Sequence, residues 1–338
     1  HPQFDRGGNR GDPCRARTER ELILYRAWTQ SEYAEAVQLR NSGASWGQLA
    51  KRFNTSKENA RAAYRRAVGA KHGAYLQPVR WHHANPHVAV VDIETLPMVI
   101  YSWGLWEEHN SPDQIIQDSC MLSWAGKYLN GSKIYSDIFT PDEARARDTR
   151  RIAKSIWEFL HDADVVIGHN YNAFDRKYIN TMFLKNGLPP LKYTVVDTLE
   201  VARRNFKFAS NKMKFINQEL GIRQKIENDG FPLWKACSEG DKHSLDVMLE
   251  YNEGDILATE DLFYKLRPYV KNLNVALYNE LETHQCPVCG SENLQIDGWY
   301  YTPAGKWESI RCQNCGALVR SKYNELDKDK RKSLLVNS

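Results

Sequence analysis

The sequence predicts an α/β fold: a mixed sheet flanked by helices, preceded by a small all-helical module and followed by a small cysteine-bearing one. Three observations lead there. Residues 87–270 run strands first and then alternate helical and strand patterns, the order expected when helices cover the faces of a sheet. Residues 18–72 carry helical periodicity interrupted only by capping and breaking residues. Two C-x2-C pairs, 286/289 and 312/315, stand near the C-terminus.

Each element has a local reason. The start, 1–17, is set aside as flexible and tag-like, since H-P-Q-F resembles part of a streptavidin-binding tag. Within 18–72, Ser31 is placed to cap a helix that runs to about Arg40, where Asn41-Ser42-Gly43 stops it. Ser45 opens a second helix with Gln48 three residues on, a capping-box spacing. Asn54 and Thr55 break the chain, and Thr55 is placed to cap a third helix with Glu58 closing its box. That helix carries Ala60, Ala63, Tyr64, Ala67 and Val68 on one apolar face, with Lys57, Arg61, Arg65 and Arg66 largely on the other. Two short helices, a tight turn and a basic final helix resemble a helix-turn-helix, which implies that the basic residues grip DNA.

Residues 73–86 are rich in turn formers and read as a linker. Residues 87–94 form an apolar run ending in charge, which suits a central strand. Strands are also expected at 99–105, 121–128 and 133–139, then a helix at 142–161. A buried strand at 163–168, a helix at 173–186 stopped by Gly187 and two prolines, and a strand at 193–196 follow. The chain to about 270 is mainly helical in pattern, 280–323 holds the cysteine module, and 324–338 is a charged tail.

Four acids in three separated segments carry the chemistry. Asp92 and Glu94 lie two apart on a strand, so they face the same way. Asp175, flanked by Asn170 and Phe174, follows a strand at the start of a helix. Tyr251 and Asp255 lie four apart in a helix, on one face. Four carboxylates converging from such distant segments repel one another unless cations neutralise them. That need points to a divalent-metal site and to metal-assisted hydrolysis of a phosphodiester. Asp197 is expected to cap a turn and His169 to be structural.

The motifs D-I-E, N-x3-F-D and Y-x3-D, in that order, resemble the DEDD superfamily of 3′–5′ exonucleases in its tyrosine (DEDDy) branch. Their aspartates are 83 and then 80 residues apart, a spacing that also fits. Residues 195–204 and 213–222 are similar to the stretch joining the second and third motifs there, and Glu250 stands where the histidine branch needs His. The resemblance covers 87–270 and implies an RNase H-like fold with two Mg²⁺ or Mn²⁺ ions. It implies that Asp92 bridges both ions and that Glu94 and Asp255 complete the site of the attacking water. Asp175 would support the second ion and Tyr251 would position the water. Thr95 and Leu96 would contact the 3′-terminal nucleotide, with Asn170 a further contact.

C-P-V-C-G and C-Q-N-C-G are two knuckles separated by 22 residues. Cys286, Cys289, Cys312 and Cys315 together suit one closed, structural Zn²⁺ site. The pattern resembles a zinc ribbon with a β-hairpin over 294–311. Its Trp299 and Tyr301, with Tyr300 and Trp307, either stack on bases or form the hairpin's own core.

Net charge is +4, but residues 1–80 hold fifteen Lys/Arg against seven Asp/Glu, leaving the rest near −4. A basic appendage beside an acidic core suits a polyanionic substrate gripped away from a metal site. No apolar run approaches the roughly 18–20 residues of a membrane span, and the start carries no secretory pattern. A reducing compartment is therefore expected, the cytoplasm of a bacterial or phage-infected cell, with Cys14, Cys120 and Cys237 as free thiols.

The function expected is a metal-dependent 3′–5′ exonuclease on DNA, met as single-stranded 3′ ends or duplex, with replication or repair proteins beside it and no membrane. An exoribonuclease of the same chemistry and a nucleic-acid-binding or assembly protein around an inactive core are the alternatives. A helix-turn-helix favours DNA, because the deep, narrow major groove of A-form RNA admits a helix poorly. No polymerase motif follows the third motif, so proofreading in cis is not expected, and proofreading in trans, repair and recombination are the alternatives.

Overall fold

The computed structural model describes residues 28–57, 59–61, 63–64, 86–106, 109–226, 230–279 and 281–336. The chain divides into two compact units at 81/82.

In the first unit, α1 (Gln30–Asn41), α2 (Trp46–Arg52) and a helical stretch between 57 and 64 (α3) enclose Ala36, Leu49, Phe53 and Ala60. Two caps shift from their expected residues. Thr29, not Ser31, caps α1: it accepts from Glu32 N at 3.2 Å, and Glu32 returns the bond to Thr29 N. Ser56, not Thr55, caps α3, accepting from Asn59 N at 3.1 Å. At the first place Thr29 has the extended backbone a cap requires. The Ser45–Gln48 box forms as expected, and Asn54 breaks the chain at φ 47°. Arg65, Arg66, Glu58, Ala67, Val68, the linker before Pro86 and the tag-like start lie outside the described residues.

The second unit is built on a five-stranded sheet of order β5-β4-β1-β6-β7. Its strands are β1 (Val88–Leu96), β4 (Cys120–Tyr128), β5 (Ile134–Ile138), β6 (Val165–Gly168) and β7 (Thr194–Asp197). β1, β4 and β5 pair antiparallel, whereas β6 and β7 join in parallel. Parallel neighbours need crossovers, supplied by α5 (Arg150–His161) and α6 (Asp175–Lys185). β1, covered on both faces, buries Ala89, Val90, Val91 and Ile93.

Two expected elements differ. The strand at 99–105 shrinks to β2 (Val99–Ile100), paired with β3 (Ile115–Gln117). Beyond it, Tyr101, Trp103, Leu105 and Trp106 are highly exposed, with no packed surface to hold them in a sheet. The helix at 142–161 is two helices, α4 (Pro141–Ala146) and α5. Arg147 breaks it in the left-handed region at φ 52°, where its guanidinium donates to Gln117 Oε1 at 3.1 Å and to Asp118 O at 2.6 Å. Asp148 then accepts the N–H of Arg150 at 3.1 Å and starts the second helix.

Helices α7 (Thr198–Asn205), α8 (Met213–Glu219) and α9 (Phe231–Ser238) lead to α10 (Lys242–Leu266), which packs on β1, β4 and β5. Lys127 of β4 meets Glu260 of α10 there, with Nζ 2.6 and 2.7 Å from the two carboxylate oxygens. Both side chains are about nine-tenths buried. Removing one partner strands a charge in the core, so Glu260→Ala should lower stability in urea unfolding by about 3–5 kcal/mol. Lys127→Met with Glu260→Leu should recover most of that loss.

Candidate active site

β6 pairs with β1 only at Val88–Val90. Past that point the β6-side edge of β1 is free, and Asp92 and Glu94 occupy the uncovered stretch. Asp175, at the first turn of α6, fills part of the gap: its Oδ1 accepts the Ile93 N–H at 3.2 Å. On the other side α10 brings Asn252, Asp255 and Tyr251. Asn252 donates to Asp92 Oδ2 at 2.9 Å and accepts from Ser123 Oγ of β4 at 3.0 Å, so a buried amide fixes the rotamer of Asp92.

Oxygens of Asp92, Glu94 and Asp255 lie within 4.8 Å of one another. Asp175 is buried beside them, and its carboxyl is held on the strand backbone. Asp255 is fully buried and bonded to the Tyr251 phenol, and among the described residues its Oδ1 has no close hydrogen-bond partner. An orphaned carboxylate oxygen in a three-acid cluster fits a hard divalent cation. Glu94 is bonded to the indole of Trp234, which in turn meets Tyr251 edge-on at 6.2 Å.

The electrostatics match this crowding. Burial raises Asp92 to about 7, with Lys225 opposing and Asp255 adding to the rise. Burial raises Glu94 to about 8, reinforced by Asp92. Asp175 is pushed well up by burial and then by Asp92, and Asp255 is raised by burial against the pull of Lys225. Burial also raises the Tyr251 phenol, so it stays protonated as a donor.

The loop of the second motif is set by Asp197. Its Oδ1 accepts Asn170 N at 2.9 Å and Leu199 N at 3.0 Å, and its Oδ2 accepts Asn172 N at 3.0 Å. It caps the helix α7, where the sequence suggested the cap of a turn, and shapes the loop that leads to Asp175. A Cβ at Gly168 would come 2.8 Å from Tyr171 Cβ, so a glycine is needed for the chain to fold back there. Asn170 adopts φ 67°. His169 is structural: Nδ1 meets Thr198 Oγ1 at 2.9 Å and Nε2 meets Asn211 O at 3.1 Å.

Of the expected nucleotide contacts, Thr95 is half-buried and Asn170 lines a cavity of about 550 Å³ beside Asp92. Leu96 departs from expectation. Its side chain is fully buried in the core. The cavity is basic, with Arg203, Lys212, Lys214 and Lys225 on its wall. In the first unit Lys57 and Arg61 are exposed, with the Arg61 guanidinium 5.7 Å from the Trp46 ring.

Sequence reasoning missed Asn252, Ser123 and Lys225. Lys225 Nζ lies 2.5 Å from Asp255 Oδ2. Only Asn252 carried a signal, its place between Tyr251 and Asp255 in one helix.

The four cysteines form a second cluster, their sulfurs within 4.8 Å of one another. Cys286–Cys315 and Cys289–Cys312 are 3.7 and 3.6 Å apart. Thiolates around a tetrahedral zinc are separated by about 3.8 Å, so the donor set fits that ion. Two matched turns build it: Gly290 N donates to Cys286 O at 2.8 Å and Gly316 N to Cys312 O at 2.9 Å, with both glycines at positive φ. The cluster sits on a three-stranded sheet of β8 (Leu294–Thr302), β9 (Gly305–Cys312) and β10 (Leu318–Arg320). Trp299, Tyr300 and Tyr301 are exposed on β8, with Tyr300 meeting the Trp307 ring of the neighbouring strand edge-on at 6.5 Å. Lys306 Nζ lies 3.7 Å from the Trp299 ring, and Arg320 lies 4.5 Å from that of Trp307.

Residues 127–267 match the family model described as RNase_H superfamily. The match takes in Asp175, Tyr251 and Asp255 and begins after Asp92 and Glu94. The DNA polymerase III PolC-type of Listeria innocua is 24% identical over 153 residues, which is 43% of this chain and 10% of that protein. The protein of the same description from Listeria monocytogenes is 24% identical over 154 residues, with the same shares. The chain thus spans about a tenth of the length of these curated relatives. Among solved structures, the family B DNA polymerase of the archaeon Pyrobaculum calidifontis aligns with a TM-score of 0.39 and 18% identity, over 54% of this chain and 25% of that one. The five-stranded mixed sheet with its helices is RNase H-like.

Asp92 and Glu94 bind protons more tightly folded than unfolded, so their stabilising contribution is full below about pH 4 and is lost as pH rises through about 7 to 8. Melting of the chelator-treated protein should therefore fall between pH 5 and 8, and Mg²⁺ or Mn²⁺ should largely erase that fall. For the thiolates, elemental analysis should find one zinc per chain, and Cys312→Ser should abolish it.

Proposed function

We propose that the chain is a metal-dependent 3′–5′ exonuclease of the tyrosine-type DEDD class that acts on DNA. The observation that carries this reading is the meeting of Asp92, Glu94 and Asp255, from segments some 160 residues apart, within 4.8 Å on an RNase H-like sheet. The intact motif order around them supports it.

Asp92, Glu94 and Asp255, with Asp175 behind them, would hold two Mg²⁺ or Mn²⁺ ions. When bound, such ions activate water and stabilise the attacking and leaving oxygens of a phosphodiester. Asn252 holds the Asp92 carboxylate in place. The protonated Tyr251 phenol, one helical turn from Asp255, orients the attacking water. Thr95 and Asn170 line the approach of the terminal nucleotide. Arg203, Lys212 and Lys214 give the adjoining cavity the charge to receive a neighbouring phosphate.

DNA is favoured over RNA on two grounds. The relatives that match the nuclease segment are described as DNA polymerases. The first unit has short capped helices with exposed Lys57 and Arg61, to which Arg65 and Arg66 add charge in sequence. In the four-cysteine module, exposed Trp299 and Tyr301 suit stacking on unpaired bases.

End-labelled single- and double-stranded DNA and RNA, incubated with Mg²⁺, Mn²⁺ or EDTA, test this reading. Mononucleotides should be released from 3′ ends of DNA in metal and not in EDTA. Asp92→Asn should abolish release while leaving DNA binding intact. Tyr251→Phe should lower kcat on the order of a hundredfold with little change in KM, because a misplaced water is lost only on the way to the transition state. Cleavage by Asp92→Asn at the wild-type rate would sink the assignment, and a preference for RNA would redirect it.

A further inference from the structure

Lys225 brings a positive charge of the chain's own into the carboxylate cluster. Its Nζ is 2.5 Å from Asp255 Oδ2, with the Asp255 side chain fully buried and that of Lys225 three-quarters so. It also lies 5.6 Å from the centre of the Tyr251 ring and lines the same cavity as Asp92.

The segment that delivers it, residues 222–226, is a strap laid antiparallel along α10. Ile222 packs in the apolar cluster of Leu262 and Leu266. The Arg223 carbonyl accepts from Asn217 Nδ2 at 2.8 Å, and its guanidinium lies 3.5 Å from Asp261. Ile226 sits on Gly254, where a Cβ would come 2.4 Å from Ile226 Cδ1. The strap thus touches α10 at Asp261, Asp255 and Gly254 in turn, and Lys225 arrives at the carboxylate by construction of the fold.

A divalent cation would bind the same carboxylate, at the Oδ1 beside the Oδ2 that Lys225 holds. Mg²⁺ stands about 2.1 Å from its carboxylate ligands, so an ammonium kept against Asp255 would face a double charge a few ångströms away. The two cannot both hold Asp255 at full strength. We propose that Lys225 is a tethered counter-ion that holds the acids together before metal arrives, competes with the divalent cation for Asp255, and is lifted off α10 with its strap when the cation binds. This rests on the reading of Asp92, Glu94 and Asp255 as cation ligands.

Coupling of this kind is reciprocal: whatever Lys225 costs the cation, the cation costs the strap. Mn²⁺ binding to the full chain, followed by electron paramagnetic resonance and calorimetry without substrate, reads one side. Lys225→Met should bind Mn²⁺ about tenfold more tightly than wild type, and its metal-free form should melt lower. Ile226→Asn, which leaves Lys225 and every carboxylate in place and adds no charge, should also tighten binding by loosening the strap. Hydrogen exchange reads the other side: in wild type, Mn²⁺ should speed exchange at 222–226. Unchanged or weaker Mn²⁺ binding in Lys225→Met, or equal protection of 222–226 with and without Mn²⁺, would overturn the proposal while leaving the cation site standing. Failure of both wild type and Lys225→Met to bind Mn²⁺ would overturn the cation site and the proposal together.

Discussion

The second unit depends on how α10 lies on the sheet. That helix presents buried polar groups as well as apolar ones, and Asn252, Asp255 and Glu260 lose their water when it docks. Each needs a specific partner, so the helix has one acceptable register. Glu260 finds Lys127, Asn252 finds Ser123 and Asp92, and Asp255 finds Lys225. Desolvated polar groups of this kind contribute less to net stability than to uniqueness, because any other register leaves several of them unpaired. The register that satisfies them also gathers the acids. Placement of the site and specification of the fold are therefore one requirement.

This explains what was legible in the sequence. D-I-E, N-x3-F-D and Y-x3-D are short-range patterns, and period-two and period-four spacing orients their side chains without knowledge of the fold. The cysteine knuckles are equally local. Strand and helix positions through 120–205, apart from the break at Arg147, follow from apolar runs and breakers in the same way. What was hidden depends on contacts between distant segments. Lys225 is an ordinary basic residue in a polar stretch until the strap meets α10. Ser123 is one of several serines until Asn252 stands opposite. Leu96 looked like a residue beside the acids, but distant segments pack over it and bury it. The break at Arg147 has no glycine or proline to announce it and arises from partners on the β3–β4 side. Where the expected cap missed, at Ser31 and Thr55, a hydroxyl one or two residues away did the same job, a choice set by backbone geometry rather than residue type.

The two metal-suited clusters are built on opposite principles. The thiolates come from two turns of nearly identical form, each closed by its own glycine, so half of that site exists in each knuckle before the halves meet. The carboxylates come from a strand and two helices, each of which orients its own acids, and only the packing of those elements on one another brings them together. Soft donors on local scaffolds and hard donors on a global one give the chain two centres whose integrity reports on different parts of the fold.

The 160-residue separation between Asp92 and Asn252 also has a kinetic meaning. Contacts so distant in the chain form late, after the local hairpins and helices, because loop closure opposes them until other contacts have assembled. The mutual repulsion of the acids is thus absent from the early folding chain and is met only as α10 settles. An ion that relieves it acts on the native side of the barrier. It lengthens the lifetime of the folded chain by slowing escape and leaves the rate of reaching that state nearly unchanged.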